Sequence, residues 1–284
     1  MSHSIPFEAQ LKDFDQIFSL SGKVAVVTGS SRGLGLSAAS GLLQAGCAKV
    51  YITARNVQAC EDAAEALNTL PQRYMGAEAI AVPADLSSTT GLNHLVTQVS
   101  QTTDHIDIIV SNAGTAHVAP FATHLESGFS NVLDLNLKSV FYLIQKFTPM
   151  LQKNATQGDP SRIIINASIW GLSVHNVAEM GAYSYAASKA AVIHLSEALA
   201  VELGPRCILC NTIAPGWFPS DMASPVLEAR GGKDQFARAT PNRRLGQPED
   251  IAGIVVFLAS RAASHLNGAM IRADGGGMFV DGGL

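Results

Sequence analysis

The feature that most constrains this chain is an alternation. Short runs of apolar, largely β-branched residues recur at 23–28 (KVAVVT), 49–53 (KVYIT), 78–82 (EAIAV), 106–111 (IDIIVS), 161–167 (SRIIINA), 206–213 and 268–273. Segments of helical length separate them at 33–45, 57–70, 89–102, 125–151, 182–203 and 248–260. Most of the short runs are apolar throughout, the pattern of a strand covered on both faces. Strands and helices in that order pair in parallel through right-handed crossovers. The expectation is an α/β fold, a doubly wound parallel sheet of about seven strands with helices on both faces.

No Pro/Gly/Ser linker and no repeat divides the 284 residues, so 21–284 reads as a single domain. Residues 1–20 precede the first strand and carry Phe7, Leu11, Phe14, Ile17 and Phe18, an N-terminal arm that packs on the body or meets another subunit. The stretch 215–245 has no strand signal, and Trp217, Phe218, Pro219 and Met222 make it a candidate lid. With 47% hydrophobic and 15% charged residues the chain has ample material for a core, which excludes disorder. A net charge of −4 argues against nucleic acid or an anionic membrane as partner. No apolar run approaches the ~18–20 residues of a membrane span, and no secretory signal is recognised. A soluble, cytoplasmic protein is expected. Cys207 and Cys210 lie three apart in a predicted strand, on opposite faces, and so read as core cysteines instead of metal ligands. The histidines show no ligand spacing, and no metal is assigned.

Directly after the first strand comes Thr28-Gly29-Ser30-Ser31-Arg32-Gly33-Leu34-Gly35, then a helix. Glycine at 29 and 33 lets the chain turn sharply and brings backbone N–H groups close to a pyrophosphate, while Gly35 permits close helix–strand packing. The helix N-terminus adds positive partial charge. The second strand ends Thr53-Ala54-Arg55-Asn56, where an acidic residue would bind the 2′-hydroxyl of NAD and an arginine the 2′-phosphate of NADP. Arg55, together with Arg32 in the preceding turn, points to NADP(H).

Tyr185 and Lys189 fall four apart in a helical segment and share one face. An ammonium near a phenol favours the phenolate, so this spacing predicts a tyrosine pKa below its usual ~10, suited to handing a proton to a carbonyl or taking one from an alcohol. These residues do not stand alone. From Gly22 to Gly276 the chain resembles the short-chain dehydrogenase/reductase family: TGSSRGLG at 28–35, Asp85-Leu86, Asn112-Ala113-Gly114, Asn136 in LDLNLKSVF, Ser168 in IINASIWG and Tyr185/Lys189 occur in order. Pro215-Gly216 with Ser220, RLGQPEDIA at 244–252 and DGG at 274–276 follow. Within the family it is most similar to 3-oxoacyl-thioester reductases of the rhamnolipid branch and to fungal pathway ketoreductases.

The resemblance implies a Rossmann-type sheet and a role for each position. Tyr185 is the acid/base, Lys189 its helper at the nicotinamide ribose, Ser168 the group that polarises the carbonyl, and Asn136 the holder of a water linking Lys189 to solvent. Gly29, Ser31, Arg32, Gly33, Leu34, Arg55, Asn56, Asp85, Leu86, Asn112, Ala113, Gly114, Pro215, Gly216, Phe218 and Ser220 would bind cofactor. Trp170, Met180 and Trp217, with Ser168, would meet substrate. Ser168 and Tyr185 are 17 positions apart where the family usually has about a dozen, so an insertion borders the pocket, with Ser173 as the alternative serine. The implied activity is NADPH-dependent reduction of a ketone, from a 3-oxoacyl thioester, free or carrier-bound, to a secondary-metabolite carbonyl. A non-redox cyclase, isomerase or NADPH-binding scaffold is the alternative. A homodimer or homotetramer pairing the 125–151 and 182–203 helices is expected.

Overall fold

The computed structural model describes residues 11–174, 181–229 and 231–280. Seven parallel strands, β1 (Val24–Thr28), β2 (Lys49–Thr53), β3 (Glu78–Ala81), β4 (Ile108–Ser111), β5 (Ser161–Asn166), β6 (Ile208–Pro215) and β7 (Met270–Ala273), form one sheet in the order β3-β2-β1-β4-β5-β6-β7. The helices are α1 (Gly33–Gln44), α2 (Val57–Asn68), α3 (Thr89–Ser100), α4 (Glu126–Leu133), α5 (Ser139–Gln152), α6 (Tyr183–Leu203), α7 (Ser224–Ala229), α8 (Lys233–Ala239) and α9 (Pro248–Ala259).

The continuous apolarity of the strands has a direct cause. In β1, Ala25 and Val27 join the core under α1, α2 and α9, while Val24 and Val26 join the core under α3, α5 and α6. Both faces are therefore dry, and neither can be polar. The chain winds from β1 outward to β3, then crosses back to place β4 on the other side of β1. That reversal opens a crevice beyond the C-terminal ends of β1 and β4, the place where open α/β sheets bind ligands.

Three differences from the sequence expectation stand out. The single helix expected over 125–151 is two helices, α4 and α5, joined by a π turn at Asp134–Lys138 that buries Asn136. The lid stretch is not structureless: α7 and α8 pack Leu227, Phe236 and Leu245 into a small core of their own, with Trp217 against it. Cys207 lies outside β6, in the left-handed region (φ 57) after a 3-10 turn, and all four cysteines are free. Of the arm, Leu20 is buried and its N–H donates to the Ala45 carbonyl (2.9 Å), whereas Leu11, Phe14 and Phe18 are exposed. Phe7 lies outside the described residues.

Candidate active site

Thr28 closes β1 and organises the crevice. Its hydroxyl accepts the N–H groups of Asn112 and Ala113, both at 2.9 Å. Asn112 in turn donates through Nδ2 to the carbonyls of Thr28 (2.9 Å) and Gly29 (3.0 Å), and accepts from Asn166 Nδ2 at 2.7 Å. The ends of β1, β4 and β5 are thereby locked together before any ligand arrives. Gly29 has a positive φ of 63° and sits against Ala113, where a Cβ would lie 2.8 Å from the Ala113 Cα; a Cβ on Gly35 would lie 2.3 Å from the Gly29 carbonyl oxygen. No side chain fits at either position. Gly33 (φ 56°) has no atom within 4 Å of where a Cβ would stand and opens onto the cleft. The first turn of α1 has no acidic residue and its N-cap, Arg32, makes no side-chain cap, so its N–H groups face outward unpaired by a cap.

Ser31, Arg32, Leu34, Arg55, Asn56 and Leu86 line this end of a cleft of about 1020 Å³. Arg55 is exposed, and no carboxylate follows β2 in the chain before it. Arg32 is engaged across the cleft: its Nη1 pairs with Asp221 Oδ2 at 2.5 Å, both side chains largely exposed. Asn56 uses Oδ1 to cap α2 by accepting from Ala59 N (2.9 Å). Asp85 does not line the cleft; its carboxylate turns to the Ser87 N–H (3.1 Å) and hydroxyl (2.8 Å), and Leu86 supplies the wall instead.

At the other end α6 carries Tyr185 and, one turn on, Lys189, whose Nζ stands 5.6 Å from the phenol ring centroid. Ser168, buried just past β5, lines the cleft together with Tyr185 and accepts from the Trp170 N–H at 3.2 Å. Lys189 is buried and donates to the Asn166 carbonyl at 2.7 Å; burial lowers its ammonium pKa to about 8. The expectation of an acidified phenol is overturned. Burial raises the Tyr185 pKa, the Ser168 hydrogen bond opposes that rise, and the ammonium, held over the ring and turned to a carbonyl, does not reverse it.

Asn136 stands behind this pair. Its Oδ1 accepts from Thr115 N (2.8 Å), and its Nδ2 donates to Thr115 O (2.9 Å) and to Ser188 Oγ (3.0 Å), which itself donates to the Tyr185 carbonyl (2.7 Å). The carboxamide braces the loop after β4 against α6. A Cβ on Gly114 would lie 3.3 Å from Asn136 Oδ1 and 3.7 Å from Lys189 Nζ, so Gly114 lets both approach the strand end.

The wall beside Tyr185 is aromatic and aliphatic. Trp170 meets the Tyr185 ring edge-on at 5.9 Å between centroids, and Trp217 meets Trp170 at 6.0 Å. Ala116, Val118, Met222 and Val226 also line the cleft, Met222 from the stretch expected to be a lid. Pro215, Gly216 and Phe218 follow β6 on the cleft wall, and Ser220 accepts from Ala223 N (3.2 Å) to start α7. Ser168, not Ser173, reaches the cleft. Met180 lies outside the described residues. Among the described residues no His/Cys/Asp/Glu group could hold a metal.

Sequence reasoning also missed Thr28, Asn166, Ser188 and Asp221. Ser188, directly before Lys189, and Asn166, two before Ser168, adjoin residues it had found.

The family profile described as Enoyl-(Acyl carrier protein) reductase matches residues 29–277. A rhamnolipids biosynthesis 3-oxoacyl-[acyl-carrier-protein] reductase of Pseudomonas aeruginosa is 40% identical, over 91% of this chain and 97% of its own length. A 2-dehydro-3-deoxy-D-gluconate 5-dehydrogenase of Escherichia coli is 34% identical, over 91% of this chain and 96% of its own. In three dimensions the chain is similar to the Pseudomonas aeruginosa RhlG/NADP active-site complex, with TM-score 0.84, 38% identity and coverage of 92% and 98% of the two chains. A gluconate 5-dehydrogenase from Burkholderia cenocepacia in complex with NADP and tartrate superposes with TM-score 0.82 at 27% identity, over 93% of this chain and 98% of that one.

Proposed function

The chain belongs to the short-chain dehydrogenase/reductase family, and on that premise we propose that it reduces a ketone to an alcohol with NADPH, Tyr185 donating the proton. One observation carries the assignment of residues: Tyr185, Ser168 and Lys189 line one end of a cleft whose other end holds Arg32 and Arg55. The described residues fit the dinucleotide. Gly33 leaves open backbone at an uncapped helix N-terminus for a pyrophosphate, and the mouth carries two guanidiniums with no carboxylate after β2 for a 2′-phosphate.

When bound, NADPH supplies the hydride. Tyr185, kept protonated by burial, holds the proton that passes from its Oη to the ketone oxygen. Ser168 donates to the same oxygen as negative charge develops there. Lys189, anchored on the Asn166 carbonyl, places positive charge beneath the phenolate that is left. Trp170 and Trp217 keep water from that end of the cleft.

The substrate is an uncharged ketone, a 3-oxoacyl thioester or a secondary-metabolite carbonyl, in preference to a sugar acid. Near Tyr185 the only described cation lining the cleft is Lys189, and it is committed to a carbonyl. An acyl carrier would meet Lys233 and Arg238 on α8, since Arg244 is paired with Asp250 and Arg243 donates to the Arg238 carbonyl. A homodimer or homotetramer forms through α4, α5 and α6, on which Phe129, Phe141, Tyr142 and Val201 are exposed. Four free cysteines suit the reducing cytoplasm. Among the described residues no helix is long and apolar enough to cross a membrane.

The test is NADPH oxidation with a panel of 3-oxoacyl thioesters, in the parent and in Tyr185→Phe. Turnover in the parent and its loss in the variant are expected. NADPH binding without oxidation by any ketone would favour a non-redox role.

A further inference from the structure

We propose that Trp217 is a partition that limits how far the acyl part of the substrate extends, by closing the catalytic cleft off from a second cavity behind the lid. The proposal rests on the ketoreductase reading above and adds to it the residue that sets substrate length.

Beside the catalytic cleft of about 1020 Å³ is a second cavity of about 240 Å³. The two linings share only Trp217 and Phe218. Phe218 cannot retreat: it is buried, and its ring lies so close to Gly246 that a Cβ there would stand 2.3 Å from it. Trp217 is fixed at its backbone, where its carbonyl accepts from Gly246 N at 2.9 Å. Its indole is fixed by rings, 4.7 Å from Phe236 on one side and 6.0 Å from Trp170 on the other. The indole Nε1 is buried without a hydrogen-bond partner, so packing and not polar bonding holds the ring in place. Trp170 also touches Tyr185, which makes the phenol, the two indoles and Phe236 one run of rings from the reacting centre to the core of the lid.

The wall therefore begins beside the reacting carbonyl. A substrate chain that grows from that carbonyl along Trp170 meets the Trp217 ring. The second space is of mixed character, with Thr240, Asn242 and the Arg244–Asp250 pair on its polar side and Ile254 and Ala273 on its aliphatic side. With the indole gone the two spaces join, and a longer chain, above all one with a terminal hydroxyl, gains room that the parent denies it. Because a single methylene in a tight pocket changes discrimination by about tenfold or more, a whole ring should change it visibly.

The experiment measures kcat/KM at saturating NADPH for N-acetylcysteamine thioesters of 3-oxo acids of graded chain length. Trp217→Ala and Trp217→Leu are compared with the parent, the leucine variant keeping an apolar contact on Phe236 should alanine fail to fold. The expected result is a rise of about tenfold or more in the ratio for the longest to the shortest chain. Adding Ile254→Phe, which refills the second cavity, should restore the parent ratio. A parental length profile in the folded variants, or a changed profile that the refilling leaves in place, overturns the proposal. A crystal structure of Trp217→Ala gives an answer independent of turnover: one continuous cavity supports the partition, and two cavities still separated by a shifted Trp170 or Phe218 refute it. If the parent binds NADPH yet reduces none of the thioesters, the ketoreductase reading has failed, and the crystal structure still decides the partition.

Discussion

The two ends of the cleft are built on different physics. At the Tyr185 end the functional side chains are buried or half-buried and most are already bonded to neighbours: Ser168 to the Trp170 N–H, Lys189 to Asn166, Asn136 to Thr115 and Ser188. At the arginine end the groups are long, exposed and sparsely held, Arg55 at the surface and Arg32 in a pair with Asp221 whose side chains are 76% and 72% exposed. One end is preorganised by short-range bonds within the folded chain. The other works through charge in water, where interactions are screened and geometry is soft. Substitutions should therefore cost most at the first end and tune most at the second.

The largest effect is expected at Tyr185. Tyr185→Phe removes the proton and the hydroxyl's interaction with Ser168 but keeps the ring contact to Trp170, which needs no hydroxyl. Loss of a general acid costs about 10²–10⁴-fold in rate. Single-turnover kinetics should show kcat falling in that range while NADPH binding, followed by fluorescence, stays near the parent. A variant within a few-fold of the parent would remove Tyr185 from the reaction.

Next comes Arg55, at the soft end. Arg55→Asp replaces a guanidinium suited to a 2′-phosphate with a carboxylate suited to a ribose hydroxyl. The ratio of kcat/KM for NADPH to that for NADH should fall roughly ten- to a hundredfold. An unchanged ratio would move the phosphate site elsewhere.

That contrast also explains what could be read from the chain. Strands with both faces dry leave continuous apolar runs, and each of the seven lies within or overlaps its expected range. Tyr185, Lys189, Ser168 and the glycine turn were legible because their chemistry is fixed by residue type at fixed local spacing. The rest depends on partners distant in the chain. Lys189 takes a backbone carbonyl, which no residue identity announces, and Arg32 meets Asp221 across 189 positions. The π turn at Asp134–Lys138 carries neither Gly nor Pro to betray it, and α7 and α8, six and seven residues long, are too short to show a helical period. The phenol was expected to be acidic because spacing alone shows the ammonium and not the burial that outweighs it.

Burial gives Lys189 a test of its own. Its ammonium pKa is lowered to about 8 from the ordinary 10.5, so the unfolded chain binds more protons across that interval. The stability linked to this group is present above pH 10.5 and lost as pH falls through about 8. The ligand-free Lys189→Met variant should therefore melt a few degrees above the parent at pH 7, with the gap narrowing between pH 8 and 10. A gap that stays constant across that range would show that the lysine is not held as a buried charge.

The smallest expected effect lies at Asp221 and is the most informative about the soft end. Its carboxylate occupies the Arg32 guanidinium that an incoming 2′-phosphate would use, so the two anions compete for one cation. An exposed pair of this kind is worth little, which bounds the gain from Asp221→Asn at about fivefold in NADPH affinity. NADH lacks the phosphate and should gain less. Salt distinguishes competition from a structural effect: the advantage should shrink as ionic strength rises and the Debye length falls to about 8 Å and below. Asp221 also sits just after Ser220, whose hydroxyl starts α7, so a packing effect would alter both cofactors alike and persist in salt. Equal changes for NADPH and NADH, insensitive to salt, would separate Arg32 from the phosphate and leave Arg55 as its sole guanidinium partner at this mouth.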